Sequence, residues 1–295
     1  MCSRLGRVRR EAVVLVAHGT VEAETDIPDF LTKVRRGRPP PPALVAETRR
    51  RYALIGGSPL LRITNAQAAA LSRRLDVPVV VAMRLWHPLL EEVLPRLVGA
   101  GVERACILPL APFSVAVYHR AAVEAASAVG LADRLELVPV PPWGSEDSLI
   151  AGHADAIARA GPADATVVTA HSLPLSVLRQ GDRYEVEVQE CAQAVSARLG
   201  RQLTLAYQSQ NSEGEWLGPD LAAVLREVRA KGARTVVLAP IGFLADHVET
   251  LYDLDIEARE WAQELGLELV RVAALNDSPA LTEALASVAQ RALDA

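Results

Sequence analysis

Eight short runs of nearly unbroken apolar residues constrain this chain more than any other feature. They cover residues 13–17, 77–83, 104–110, 135–140, 165–170, 203–207, 235–240 and 267–272. Most are rich in β-branched residues and lack the polar alternation of a strand with one wet face, so each needs cover on both faces. Between them lie stretches with helical spacing, such as 65–75, 89–100 and 184–199. Buried strands alternating with helices predict βαβ units and an α/β fold of doubly wound parallel sheets.

The runs fall into two sets of four that match in order. Val13-Val14-Leu15-Val16-Ala17-His18 is answered by Val167-Val168-Thr169-Ala170-His171, and Ile107-Leu108-Pro109-Leu110-Ala111-Pro112-Phe113 by Val237-Leu238-Ala239-Pro240-Ile241-Gly242-Phe243. Any two buried parallel strands look somewhat alike, but the shared order and the paired histidines favour duplication. The expectation is two Rossmann-like lobes, each a parallel sheet flanked by helices, over residues 1–145 and 146–295. They join near 141–154, and the last helix packs back on the first lobe. In open parallel sheets ligands sit outside the carboxyl ends of the strands. The residues to inspect are therefore His18, Arg84, 112–118, His171, 208–216 and 246–257.

Composition closes off other classes. Charged residues are 23% of the chain and the net charge is −5, which does not suit general nucleic-acid binding. No apolar run approaches the roughly 20 residues of a membrane span. The basic start, Met1 to Arg10, followed by 12–17 imitates a signal peptide. Its apolar part is short and has no small-x-small cleavage site, so it reads as a ragged tail before a buried strand. Cys2, Cys106 and Cys191 are few and scattered. That predicts neither a disulfide framework nor a cysteine metal cluster, and fits the cytoplasm.

The strongest local feature is Asp246-His247-Val248-Glu249-Thr250-Leu251-Tyr252-Asp253-Leu254-Asp255-Ile256-Glu257. It follows a strand and should open a helix, with Asp246 as N-cap. Glu249, Asp253 and Glu257 then lie along one face, drifting roughly 40° per step. Such a ridge suits a hard divalent cation; on spacing alone it suits a solvated acidic face equally well. His171 closes a strand before Ser172-Leu173-Pro174, where an imidazole can accept a proton or bind a metal, or simply make structural hydrogen bonds. Arg35-Arg36-Gly37-Arg38, four prolines at 39–42 and Arg49-Arg50-Arg51 lie in a segment, 21–63, with no place in either sheet. Its arginines suit carboxylate ligands. Ile55-Gly56-Gly57-Ser58-Pro59-Leu60 is a turn signal without the ending of a phosphate loop.

Together these residues resemble the ferrochelatase family over nearly the whole chain. The motifs run in family order: Arg-Arg-Gly-Arg at 35–38, Ile-Gly-Gly-Ser-Pro-Leu at 55–60, Met-Arg-Leu-Trp-His-Pro at 83–88, Ala-His-Ser-Leu-Pro at 170–174, Gln-Ser-Gln at 208–210, Trp-Leu-Gly-Pro-Asp at 216–220, and the segment through 240–255. The resemblance implies insertion of Fe2+ into protoporphyrin IX or coproporphyrin III, as a metal-chelating lyase of haem biosynthesis. It implies His171 and Glu249 as catalytic groups on opposite walls of a porphyrin cleft. His171, Glu249, Asp253 and Glu257 would handle metal, with room for a second divalent ion such as Mg2+ on the ridge. His18, Arg35, Arg51, Ser58, Arg84 and Tyr118 would bind the porphyrin. His18 stands where the compact bacterial forms carry an iron-ligating Tyr. No tightly bound cofactor and no iron–sulfur cluster are implied. The partners are porphyrin, Fe2+ and transient contacts with other haem-pathway enzymes. Two other readings compete: a cobalt chelatase of cobalamin or sirohaem synthesis, favoured by the paired histidines, and a two-lobed tetrapyrrole-binding protein without chemistry.

Overall fold

The computed structural model describes residues 10–210 and 214–295. Cys2 and nearly all of the basic tail lie outside the described residues. The first half runs β1 (Glu11–Ala17), α1 (Ile27–Val34), α2 (Pro42–Ile55), α3 (Leu60–Ser72), β2 (Val79–Met83), α4 (Leu90–Gly99), β3 (Arg104–Pro109), α5 (Val115–Ala128) and β4 (Glu136–Pro139). The second runs α6 (Asp147–Arg159), β5 (Ala165–His171), α7 (Leu175–Leu178), α8 (Tyr184–Leu199), β6 (Thr204–Gln208), α9 (Leu221–Ala230), β7 (Thr235–Pro240) and α10 (Val248–Tyr252). A π-helical turn (Asp253–Glu257), α11 (Ala258–Leu265), β8 (Glu268–Arg271) and α12 (Pro279–Asp294) follow. All eight apolar runs are strands.

Each half builds a four-stranded sheet, in the orders β2-β1-β3-β4 and β6-β5-β7-β8. Every pairing is parallel, with registers such as Leu15↔Leu108 and Val167↔Leu238. The two orders are the same pattern, as duplication predicts. In each sheet the chain reverses direction of travel between its first and third strands. That switch point leaves a crevice at their carboxyl ends, where His18, Phe113, His171 and Phe243 follow.

Apolar cover explains why both faces of the central strands β1, β3, β5 and β7 are buried. One face of the first sheet packs on α4 and α5 through Val14, Leu94, Ile107 and Ala122. The other packs on α3 and α12 through Leu15, Leu71, Leu108, Leu281 and Leu285. The second sheet is covered by α6 and α8 on one face and by α9 and α11 on the other. Caps fix the helix ends: Asp220 accepts from Ala223 N at 2.8 Å before α9, and Gly200 ends α8 in the left-handed region at φ 64°.

Three local expectations need correction. The helix expected from residue 65 begins at Leu60, directly after Pro59. Asp246 does not cap α10; His247 holds that position, and the Asp246 carboxylate is drawn instead to Arg271 and Asn276. The junction expected over 141–154 is helical from Asp147 onward, in α6. Segment 21–63 forms α1, α2, the loops beside them and the first turn of α3. Its core of Val21, Ile27, Phe30, Leu31 and Tyr52 packs on Trp86 of the first half and Val248 of the second, and so closes one side of the interlobe cleft.

Candidate active site

The loop after β5 places His171 and fixes its tautomer. Its Nδ1 donates to the Ser172 carbonyl in a short bond, and Tyr184 Oη donates to the His171 carbonyl at 2.8 Å. A neutral His171 therefore carries its free lone pair on Nε2. Nε2 stands 3.5 Å from Glu249 Oε2, and both side chains are about one-third exposed (33% and 34%), hence open to a ligand. The opposite-wall expectation is thus corrected. His171 and Glu249 sit side by side on the second lobe, too close for a flat ring to lie between them.

Close packing at the strand ends makes this possible. A side chain on Gly242 would meet Ala170 Cα at 2.6 Å, so only glycine lets the turn after β7 pass the end of β5. Gly19 plays the same part in the first lobe: at φ 111° it lies against the Trp86 backbone, where a Cβ would come within 2.8 Å.

A third imidazole, which the sequence reading did not single out, completes the cluster. His247 Nε2 lies 3.7 Å from the same Glu249 oxygen, its ring against Phe243 at 5.2 Å. Burial alone would raise the Glu249 pKa, but His171, His247, His18 and Arg51 together outweigh it and leave the carboxyl below its usual range. His18, from the first lobe, is held neutral by burial, which lowers its pKa to about 4 even against the pull of Glu249. Arg84 and Tyr118 stand beside it, the guanidinium 5.7 Å from the phenol ring centre, and burial pushes the Tyr118 hydroxyl up to about 12.

Behind Glu249 the ridge is braced rather than solvated. Asp253 Oδ2 accepts from Ser209 Oγ at 2.5 Å and from Gln208 Nε2 at 3.4 Å; the same Gln208 amide donates to the Glu249 carbonyl at 2.9 Å. Ser209 takes a left-handed backbone, φ 62°, which a residue with a side chain rarely adopts. Burial raises Asp253 to about 7 despite the Ser209 bond, and burial also raises Glu257. Gln208 and Ser209 stood in the sequence as a strand end and part of the Gln-Ser-Gln motif at 208–210; their hold on Asp253 had no local signal. The step from Asp253 to Glu257 crosses the π turn, which holds more residues per turn than an α-helix. Groups four apart then stand at a different angle from the one α-helical drift predicts.

Arg51 is placed differently from expectation. It bonds Glu47 at 2.8 Å, stands 3.6 Å from Asp253 Oδ1 and 4.0 Å from Glu257, and lies over the Tyr252 ring at 4.3 Å. Its charge belongs to the ridge. Arg35, half-buried at the end of α1, keeps its Nε without a hydrogen-bond partner among the described residues. Ser58 lies in the turn between α2 and α3 and accepts weakly from Leu60 N at 3.5 Å. No described contact joins Arg35 or Ser58 to the His171 cluster. Trp216 is half-buried and its backbone bridges Pro174 beside the cleft mouth.

The same architecture is found in the sirohydrochlorin chelatase SirB from Bacillus subtilis subspecies spizizenii, in complex with cobalt. Its TM-score is 0.61 at 13% identity, over 97% of this chain and 96% of that one. The iron-bound SirB from Bacillus subtilis gives 0.64 at 13%, over 96% and 95%. Two like lobes with imidazoles and a carboxylate gathered at the strand mouths define a chelatase-like α/β protein. Sequence comparison is narrower. The Ferrochelatase family model matches residues 10–293. A ferrochelatase from Acidobacterium capsulatum is 37% identical over 97% of this chain and 95% of its own length. A coproporphyrin III ferrochelatase from Oceanobacillus iheyensis is 32% identical over 96% and 97%. The chain belongs to the ferrochelatase family.

Proposed function

We propose that this protein inserts Fe2+ into a porphyrin held between its lobes, releasing the two pyrrole protons, as a metal-chelating lyase of haem biosynthesis. The observation that carries the residue assignment is the His171–Glu249 pair, with Nδ1 engaged by the Ser172 carbonyl and Nε2 free toward the cleft. His171 Nε2 accepts a pyrrole proton. The imidazolium so formed lies beside a carboxylate already held ionised, which stabilises the charge as it develops. Asp253, near half-ionised at neutral pH, and Glu257 carry protons onward or hold the incoming metal. His18 approaches from the first lobe as a neutral ring, the form that ligates iron. Arg35 and Arg84 are the cations available to propionates; Arg51 is already engaged by acids.

The ridge also fits a second divalent ion such as Mg2+. Gln208 Oε1 and Asp253 Oδ1 are buried acceptors without a hydrogen-bond donor, and both residues line a cavity of about 290 Å³ with Ser209, Asp220 and Glu257. Among the described residues no three carboxylate, imidazole or thiol groups converge on one point, so this fit is to an ion held through its hydration waters. Its charge would favour the ionised form of Asp253.

The sirohydrochlorin chelatases share the fold at 13% identity, whereas the ferrochelatases above share 32–37% of residues over nearly the whole chain. That contrast, with the intact Asp-His-x-Glu segment, favours iron and a porphyrin over cobalt and sirohydrochlorin. Among the described residues no helix is long and apolar enough to cross a membrane. Cys106 and Cys191 are free and buried; a cytoplasmic protein in transient contact with neighbouring haem-pathway enzymes is the reading we favour.

The deciding experiment is anaerobic insertion of Fe2+ into coproporphyrin III and protoporphyrin IX, followed by absorbance, with Co2+ and sirohydrochlorin in parallel. Iron insertion by the wild type and its loss in His171→Ala, with porphyrin binding retained, is the expected result. Turnover only with sirohydrochlorin would overturn the substrate assignment. Stoichiometric porphyrin binding without insertion would overturn the enzymatic one, and full turnover by His171→Ala would remove the His171 role.

A further inference from the structure

Arg271 ends the edge strand β8, remote in sequence from the histidines, yet its side chain is only 5% exposed. Its Nη2 donates to Asp246 Oδ1 at 2.7 Å, and its Nε stands 3.7 Å from Asp255 Oδ2. Its Nη1 donates to the Val272 carbonyl. Asp246 precedes His247, the N-cap of the helix that carries Glu249, and Asp255 lies inside the π turn between Asp253 and Glu257. One buried guanidinium thus holds the segment at two points, ahead of Glu249 and between Asp253 and Glu257.

The hold at the first point is reinforced. Asp246 Oδ2 accepts from Asn276 Nδ2 at 2.9 Å, and Asp246 N donates to Asn276 Oδ1 at 2.8 Å. Asn276 meets it from a left-handed backbone, φ 49°. Burial opposes charge on Asp246, but the bonds from Asn276 and Arg271 outweigh it and hold the carboxyl low. Asp255 is also 3.5 Å from Arg259, an exposed residue four positions on in the same helix. Nothing in the proton transfers described above uses Arg271, Asp246, Asn276 or Asp255.

We propose that Arg271 is a positioning residue for the metal-handling ridge: by bridging Asp246 and Asp255 it sets the π turn, and with it the placing of Asp253 and Glu257 relative to Glu249. A π turn replaces i→i+4 hydrogen bonds with longer ones, so an outside anchor is what keeps this segment from relaxing to an α-helix and turning Glu257 to a different angle from Glu249. The inference rests on the metal-insertion reading for its kinetic arm only; the anchoring itself is independent of it.

The test uses the full chain and Asp255→Asn, which loosens one end of the bridge while leaving the buried Asp246 pair in place. Arg259→Gln, which removes only the exposed partner, is the control. Amide hydrogen exchange is followed by mass spectrometry across residues 246–257, and KM is measured separately for the metal ion and for the porphyrin. Expected for Asp255→Asn are faster exchange confined to 250–257 and a KM for metal raised by up to about a hundredfold, the cost a misplacement near 1 Å can carry. Porphyrin affinity and global melting stay as in the wild type. Arg259→Gln should match the wild type in all readouts. Faster exchange without a change in metal KM would overturn the positioning role, and unchanged exchange would overturn the bridge itself. Absence of insertion by the wild type would count against the proposed activity, with the exchange arm still deciding the anchoring.

Discussion

At the scale of single residues, the site works by setting neighbouring acids to different strengths. Glu249 is held ionised by the imidazoles and Arg51, while Asp253, one turn on, is raised to about 7 by burial. A carboxyl whose folded pKa lies above its unfolded value of about 3.9 favours the fold in its protonated form. That contribution is whole below about pH 4 and is lost as pH rises through about 7. Asp253→Asn cannot titrate, so it should lose about 2 kcal/mol less stability than the wild type between pH 5 and pH 8, a few degrees of Tm; melts at the two pH values measure this. Charge also separates two arginines that look alike in sequence. Arg35→Glu should raise the porphyrin Kd and leave turnover at saturating porphyrin nearly unchanged, because propionate contacts are remote from the reacting nitrogens. Arg51→Glu should instead change the metal dependence, since its partners are Glu47, Asp253 and Glu257. Equal effects of both on porphyrin affinity alone would return Arg51 to the propionates. The sequence could not separate them: Arg51 and Asp253 are some 200 positions apart, and only the folded chain pairs them.

At the scale of elements, legibility followed burial. The strands were readable because cover on both faces leaves an apolar run with no polar alternation, and the strand ends then named His18 and His171. The helix at 60–72 was misread at its start because Leu60 and Ile63 pack with Ala245 in a cluster apart from the sheet cores and so break the period. The π turn was invisible, since nothing in Asp253–Glu257 departs from an α-helical pattern; what sets it stands across the fold. Helix α12 shows burial of another kind. Leu281 and Leu285 are fully buried (0% exposed) against the first sheet, among Leu15, Leu108 and Val138, and Arg104 donates to the carbonyls of Ala292 and Leu293 at the helix end. Leu285→Ala should cost about 2–5 kcal/mol, since the cavity it leaves is walled by strands that cannot collapse. A Tm drop of under about 2 °C would mean that the helix is not the cover described.

At the scale of the whole molecule, the halves repeat in topology but not in self-sufficiency. The second sheet finds its cover within its own half, on α6, α8, α9 and α11. The first borrows α12 from the far end of the chain. A fragment of residues 10–145 should therefore remain loosely folded or aggregate, as judged by circular dichroism and size-exclusion chromatography, and should become soluble when a peptide of residues 277–295 is supplied. A monodisperse, cooperatively melting fragment would disprove this dependence.

The borrowed helix has a consequence during synthesis. Translation delivers the strands of the first sheet long before α12; at about 5–20 residues per second the interval is roughly ten to thirty seconds. Through that time the nascent chain presents Leu15, Cys106 and Leu108 on a face whose cover by α3 stays incomplete until α12 arrives. The first half to be made is the last to be finished, and until α12 has been made its open face is one that a chaperone holding apolar surface would bind.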